Sequence, residues 1–191
     1  MAVSDIVVPR TETNTSLNDR FEKTLQNFSI DPNKSIQNWT VNIAYNPKTH
    51  YTAYNNRALM YLAQNNFEQS RKDLDKAIAI NRRNAASKDE KLYINKGVLL
   101  ARQGLFRQAL IEFNTAIGMN IHSWQAYCCR ANCLLQMGKL GEALQDYQIS
   151  QMITSRYESG GFVKLDKSSI ESLQHALQQK IGLKEFERAE L

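Results

Sequence analysis

The residue types best suited to chemistry are few, and only the cysteines are gathered in one place. Cys128, Cys129 and Cys133 fall within six residues, and the histidines are His50, His122 and His175. Cys129 and Cys133 stand four apart, so on a helix their thiols share a face, with His122 a short way upstream. That is half of a zinc site. Zinc takes four ligands, usually as two spaced pairs, and no second pair is present. The three cysteines therefore read as small apolar residues of a packed helix, in a number and spacing unsuited to stapling a fold. The histidines lack the flanking residues of a nucleophilic triad, there is no Gly-x-Ser-x-Gly, and no glycine-rich loop could cradle a phosphate. No enzymatic activity, metal or cofactor is expected.

Charged residues show more order. A base is followed sixteen residues later by an acid three times over: Arg57 and Asp73, Lys96 and Glu112, Arg130 and Asp146. Such recurrence points to an ion pair inside a repeated unit, with the aliphatic stem packed and the head near the surface. The sharper alternative is a row of three basic heads offered to an acidic ligand, but each base already has its own acid at the same distance. A second cluster runs from Arg71 to Arg107 and includes Arg82, Arg83, Lys88, Lys91, Lys96 and Arg102. Asp73, Asp75, Asp89, Glu90 and Glu112 interleave with it. A nucleic-acid footprint needs a patch of one sign, so this region reads as a mixed, solvated face.

The elements that must position these residues follow from composition and self-similarity. The chain has 191 residues, 42% of them apolar and 23% charged, with a net charge of +5, which suits one ordered domain rather than a disordered chain. Eight Gly and three Pro are too few for the turns of an all-β sandwich. Three segments, starting at Tyr54, Tyr93 and Tyr127, read in parallel, 39 and then 34 residues apart. Each divides into two amphipathic helices around a polar break, at Asn65-Asn66, Gly104 and Gly138. Tyr54, Ala58, Tyr61 and Leu62 precede the first break and Phe67, Ser70, Leu74, Ala77 and Ile78 follow it. Tyr93, Gly97 and Leu100 precede the second, with Phe106, Ala109, Phe113, Ala116 and Ile117 beyond. The third copy has Tyr127, Ala131 and Leu134, then Leu140, Ala143, Tyr147 and Ser150. Large and small residues alternate at matching places, as close helix packing requires.

This pattern, over residues 51 to about 154, resembles the tetratricopeptide repeat, a helical hairpin of 34 residues. The copies lack the family's closing proline, carry Ser150 where Ala is usual, and are separated by five extra residues near Ala85 to Asp89. Ser87 and Glu90 have the spacing of a capping box, which predicts that the second copy's helix starts a turn early. The resemblance implies an all-α fold, a right-handed solenoid of stacked hairpins with repeats at 51–84, 90–123 and 124–154. It also implies a concave wall formed by the first helix of each hairpin. On that wall would lie Asn55, Asn56 and Leu59, then Lys91, Asn95, Val98 and Arg102, then Gln125, Cys128, Cys129 and Asn132. Amides that both donate and accept suit an extended peptide or helix of a partner protein. The implied role is an adaptor or scaffold within a larger assembly, with protein rather than nucleic acid as partner. A family subclass clamps a chaperone's C-terminal carboxylate with two lysines, two asparagines and an arginine. In one register Asn56 and Lys91 match that clamp, while Arg20, Thr24 and Asn95 depart from it; in the other, only Asn95 matches.

The flanks are expected to finish the stack. Residues 1–19 read as a flexible segment without the pattern of a signal or transit peptide. Residues 20–50 suggest a degenerate copy: Phe21, Leu25 and Phe28, a break at Asp31-Pro32-Asn33, then Ser35, Trp39, Ile43 and Tyr45. Residues 155–167 read as a loop. Ser168 and Glu171 form another capping box, and Ile170, Leu173, Leu177 and Ile181 make a single stripe opposed by Gln174, Gln178, Gln179 and Lys180. A solenoid exposes an apolar face at its end, so 168–191 is expected to be a capping helix and tail. No run of apolar residues is long enough to insert in a membrane, and unpaired thiols fit the cytoplasm or another reducing compartment.

Overall fold

A computed structural model describes residues 31–45, 51–83 and 88–158. Those residues form seven helices and no strand: α1 (Pro32–Tyr45), α2 (Tyr51–Ala63), α3 (Phe67–Arg83), α4 (Lys91–Arg102), α5 (Phe106–Met119), α6 (Trp124–Gln136) and α7 (Leu140–Glu158). The chain is the all-α solenoid that the repeat pattern implies. Helices α2 and α3, α4 and α5, and α6 and α7 pack as three hairpins, and each hairpin stacks on the second helix of the one before. The first helices α2, α4 and α6 also touch in sequence, which makes them one continuous wall.

Each hairpin turns through a residue with left-handed backbone: Asn65 at φ 57°, Gly104 at 76° and Gly138 at 75°. This is the reason for the polar break. A left-handed residue lets the chain reverse while the last turn of the helix keeps its hydrogen bonds, and Gly or Asn adopts it at least cost. The N–H groups of Asn66, Leu105 and Lys139 each donate to the carbonyl five residues back, all at 2.9 Å. The following helix α3 is then capped by Asn66, whose Oδ1 accepts the N–H of Gln69 at 3.3 Å.

Packing between the paired helices explains the small residues. Phe113 is fully buried, and a Cβ on Gly97 would lie 2.5 Å from its ring. The other copies hold Ala58 with Leu74, and Ala131 with Tyr147, at those places. The fully buried Phe113 ring thus sits against the one partner without a Cβ.

Three expectations change. Helix α4 starts at Lys91, two residues before Tyr93, whereas α2 starts three before Tyr54, so the second copy does not begin early. Its capping oxygen is Asp89 Oδ1, which accepts the Lys91 N–H at 3.1 Å, while Glu90 accepts from the Asn120 side chain at 2.8 Å. Ser87 lies outside the described residues. Helix α7 runs on to Glu158, past the point where a loop was expected. Upstream, Pro32 opens α1 with Asp31 Oδ1 accepting the N–H of Asn33 at 2.9 Å, the favoured chemistry of a helix start. Trp39 and Ile43 of α1 pack on the core, but Tyr45 is 80% exposed and does not continue their stripe. The companion residues Phe21, Leu25 and Phe28, and the stripe from Ile170 to Ile181, lie outside the described residues.

Candidate binding wall on the first helices

The three base and acid pairs set the frame. Arg57 donates through Nε and Nη2 to both carboxylate oxygens of Asp73, at 2.7 and 2.8 Å. Arg130 does the same to Asp146, at 2.7 and 2.6 Å. Lys96 reaches Glu112 at 3.4 Å, a looser contact because an ammonium cannot match a carboxylate with a planar fork. Hydrogen bonding to its acid raises each arginine above its ordinary value, against the opposing effect of burial. Burial pulls Lys96 down, but Asp75 and Glu112 together hold it above the usual lysine range.

Each base also bonds backward, and this the spacing alone did not reveal. Arg57 donates to Thr40 Oγ1 of α1 at 3.1 Å, Lys96 pairs with Asp75 of α3 at 2.9 Å, and Arg130 donates to Asn114 of α5 at 2.6 Å. One cation therefore ties three helices: both of its own hairpin and the helix just before them. The backward partners are a hydroxyl, a carboxylate and an amide, so no common residue type flagged them. The basic heads are engaged within the stack and do not form a free row.

The charged stretch from Arg71 to Arg107 is likewise laced with partners. Lys72 pairs with Glu68 at 2.8 Å, and Arg82 donates to the Tyr93 hydroxyl at 3.0 Å, which raises its pKa. Arg102 turns inward, donating to the Leu62 carbonyl and to Asn65 Oδ1, both at 2.9 Å.

Along the wall, the eleven expected residues divide. In the first two hairpins, Asn95 Nδ2 donates to Asn55 Oδ1 at 2.8 Å, and Asn55 leans on Asn56 at 3.4 Å, all three almost fully buried. Leu59 and Val98 are buried beside them. The Asn95–Asn55 bond joins hairpin to hairpin, and Asn56 is buried beside it on its own helix. Lys91 and Arg102 are half-buried at the margin of the wall. In the third hairpin, Gln125, Cys128 and Asn132 are half-buried, while Cys129 is 1% exposed. Asn132 donates to the Cys128 carbonyl at 3.0 Å and accepts from the Tyr147 hydroxyl at 2.8 Å. Leu62, Ile94, Ala101 and Leu135 complete the wall, and a register count from each tyrosine would have found them. The clamp register also suffers, since Asn56 is buried beside Asn55 and Arg20 lies outside the described residues.

Cys133 is fully buried in the helix pair and its thiol is pushed up to about 12 by that burial, so it stays protonated at neutral pH. No group of three or more His, Cys, Asp or Glu gathers among the described residues. No helix among them is long and apolar enough to cross a membrane. Away from the wall, a shallow pocket of about 270 Å³ is lined by Leu110, Asn114, Arg130, Glu142 and Asp146, where the third staple already neutralises the charges.

Stacked hairpins with a left-handed reversal, an alternating large and small seam and a wall of first helices define a tetratricopeptide-repeat solenoid. Residues 51–84 match the family model described as "Tetratricopeptide repeat", and the described helices share the fold of such solenoids. The fold is similar to that of MamA, at 16% identity and a TM-score of 0.59, covering 73% of this chain and 77% of that one. It is also similar to TTC0263, a thermophilic tetratricopeptide-repeat protein of Thermus thermophilus, at 19% identity and a TM-score of 0.59, covering 74% and 78%. YrrB, described as having an unusual peptide-binding site, is 14% identical with a TM-score of 0.52, covering 87% and 88%. No curated protein matches the sequence.

Proposed function

We propose that this chain is a protein-protein interaction module, an adaptor or scaffold subunit that receives a peptide or helix of a partner protein on the wall of its first helices. The observation that carries the reading is the division of that wall. Asn55 and Asn95 bond to each other between hairpins with Asn56 buried beside them, whereas Gln125, Cys128 and Asn132, at the third step, keep part of their surface open. Repeat modules differ from one another chiefly in what they hold, and such surfaces are the usual place to hold it.

Full-length bait used for capture from native extract tests this. Cys128→Arg, which adds bulk and charge to the open step, is expected to lower the yield of captured proteins about tenfold, the equivalent of ~1.4 kcal/mol. Ile111→Ser, on an outer helix where the residue is 64% exposed, should leave it unchanged. Equal capture by both variants and the unaltered chain would sink the reading. A yield that collapses with modest added salt would instead point to phosphate contacts.

A further inference from the structure

The outward faces of the second helices α3, α5 and α7 use equivalent positions, 39 and then 34 residues apart, and their charge falls step by step along the stack. Six positions on each helix are exposed or half-buried on that side. On α3 five of the six are charged, namely Glu68, Arg71, Lys72, Asp75 and Lys76, with Ala79 the sixth. On α5 only Arg107 is charged, and Ile111 stands 64% exposed where α3 has Lys72. On α7 none is charged. Gln145 and Gln148 take the places of Lys72 and Asp75, Ile149 that of Lys76, and Met152, 61% exposed, that of Ala79. These four, with Gln151, line a shallow hollow of about 520 Å³. Asp146 and Ser150, which bond to α6, lie on the opposite side of the helix, so the hollow faces away from the wall of first helices. A solvated helix face ordinarily carries charge, as that of α3 does.

We infer that the outward face of α7 is a self-association surface, on which a second copy of the chain packs its own α7 about a two-fold axis near Gln148. Charge selects this occupant. Two copies at +5 repel each other, so they approach most easily where neither presents a charge. A two-fold contact also sets one patch against itself, and every residue in it must suit its own kind. Glutamine does, because its amide donates and accepts at once, and Ile149 and Met152 do through apolar contact. The α3 face does not, since three cations against two anions would meet the same excess. A nucleic acid or a charged peptide finds no ion on α7 with which to pair. Gln145, Gln148 and Met152 recur at intervals of three and four, the spacing at which two helices lie side by side along a seam. One helix of 19 residues, ~28 Å long, offers a small interface, and small interfaces are transient, so the dimer forms at tens to hundreds of micromolar, on the order of its Kd. The contact leaves the wall of first helices open and does not rest on the function proposed above.

Sedimentation equilibrium of the full chain, from about 5 to about 500 μM, tests this, with the mean mass expected to climb from one chain toward two. Ile149→Lys and Met152→Lys, both on open surface, give α7 the charge that α3 carries. Each should weaken the dimer about tenfold with an unchanged thermal melt, while Cys128→Arg on the wall should leave it as it was. Added salt should tighten the dimer, because it screens the repulsion between two cationic chains. A single-chain mass at every concentration would overturn the proposal, as would lysine variants that associate like the unaltered chain. Dissociation by salt would overturn it too, by assigning the contact to ion pairs. Gln148→Cys checks the axis: under mild oxidation it should form a disulfide-linked dimer in about tenfold greater yield than Lys76→Cys on α3. Equal yields would overturn the two-fold placement. Capture of a partner by Met152→Lys reads the wall separately, and should match that of the unaltered chain.

Discussion

The first two hairpins and the third are built on one pattern, yet their inner surfaces differ. Between the first two, the wall is closed by an amide ladder and by Arg102 reaching back to the Leu62 carbonyl. At the third, the corresponding side chains are half-buried, and the Asn132 amide bonds within its own hairpin. The same residue type therefore serves two purposes. Asn55 and Asn95 lock one hairpin to the next, whereas Asn132 bonds within its own hairpin and stays half-buried. Openness in a solenoid is a property of position in the stack more than of residue identity.

The comparison can be broken most severely at the seam of the second hairpin. Phe113→Ala would remove a fully buried ring and leave a cavity against Gly97, with an expected loss of about 3–5 kcal/mol in denaturant unfolding. A loss under 1 kcal/mol would show that the closed half is not the rigid part. Staples come next. Asp73→Ala strands the Arg57 guanidinium and should cost about 2–3 kcal/mol, whereas Glu112→Ala, removing the looser contact to a lysine that keeps Asp75, should cost about 1 kcal/mol or less. Equal effects would mean that the bidentate geometry adds nothing.

The wall itself gives a smaller and more direct contrast. Asn95→Ala leaves the buried Asn55 carbonyl oxygen without its donor and is expected to cost about 1–2 kcal/mol, while Asn132→Ala at the half-open step should cost less than about 1 kcal/mol. Thermal melts of the two variants side by side would reverse the assignment of closed and open steps if the order were inverted.

The smallest effect lies at Asp89, whose carboxyl burial holds above its ordinary value of 3.8. A raised carboxyl means that the folded chain takes up the proton more readily than the unfolded one. Its ionised form therefore opposes folding at higher pH, and that penalty fades as pH falls through the raised value. Asp89→Asn keeps an acceptor for the Lys91 N–H, so it should melt slightly higher at neutral pH, with the gain vanishing below 3.8. A gain that persists in acid would assign the effect to something other than ionisation.

Much of the fold was legible because its causes are local and repeated. The sixteen-residue interval became an ion pair in each hairpin, since one helical turn of drift either way would have parted base from acid. Gly104 and Gly138 marked reversals because few other residues adopt left-handed backbone cheaply. The site was less legible. Asn55 and Asn95 carry the chemistry of a groove, and only a neighbouring hairpin at hydrogen-bond distance converts them into a joint. Ser87 and Glu90 matched a capping box, but the Asn120 amide lies close enough to take the Glu90 carboxylate instead.

The pairing of helices into hairpins and the ion pair within each follow from periodicity, because each is settled by residues fewer than twenty apart. The three-helix staples of Thr40, Asp75 and Asn114, and the division of the wall into sealed and open steps, arise only when hairpins stack. Those contacts depend on the distance and angle between whole hairpins, which summed side-chain volumes across each seam decide and no spacing along the chain records.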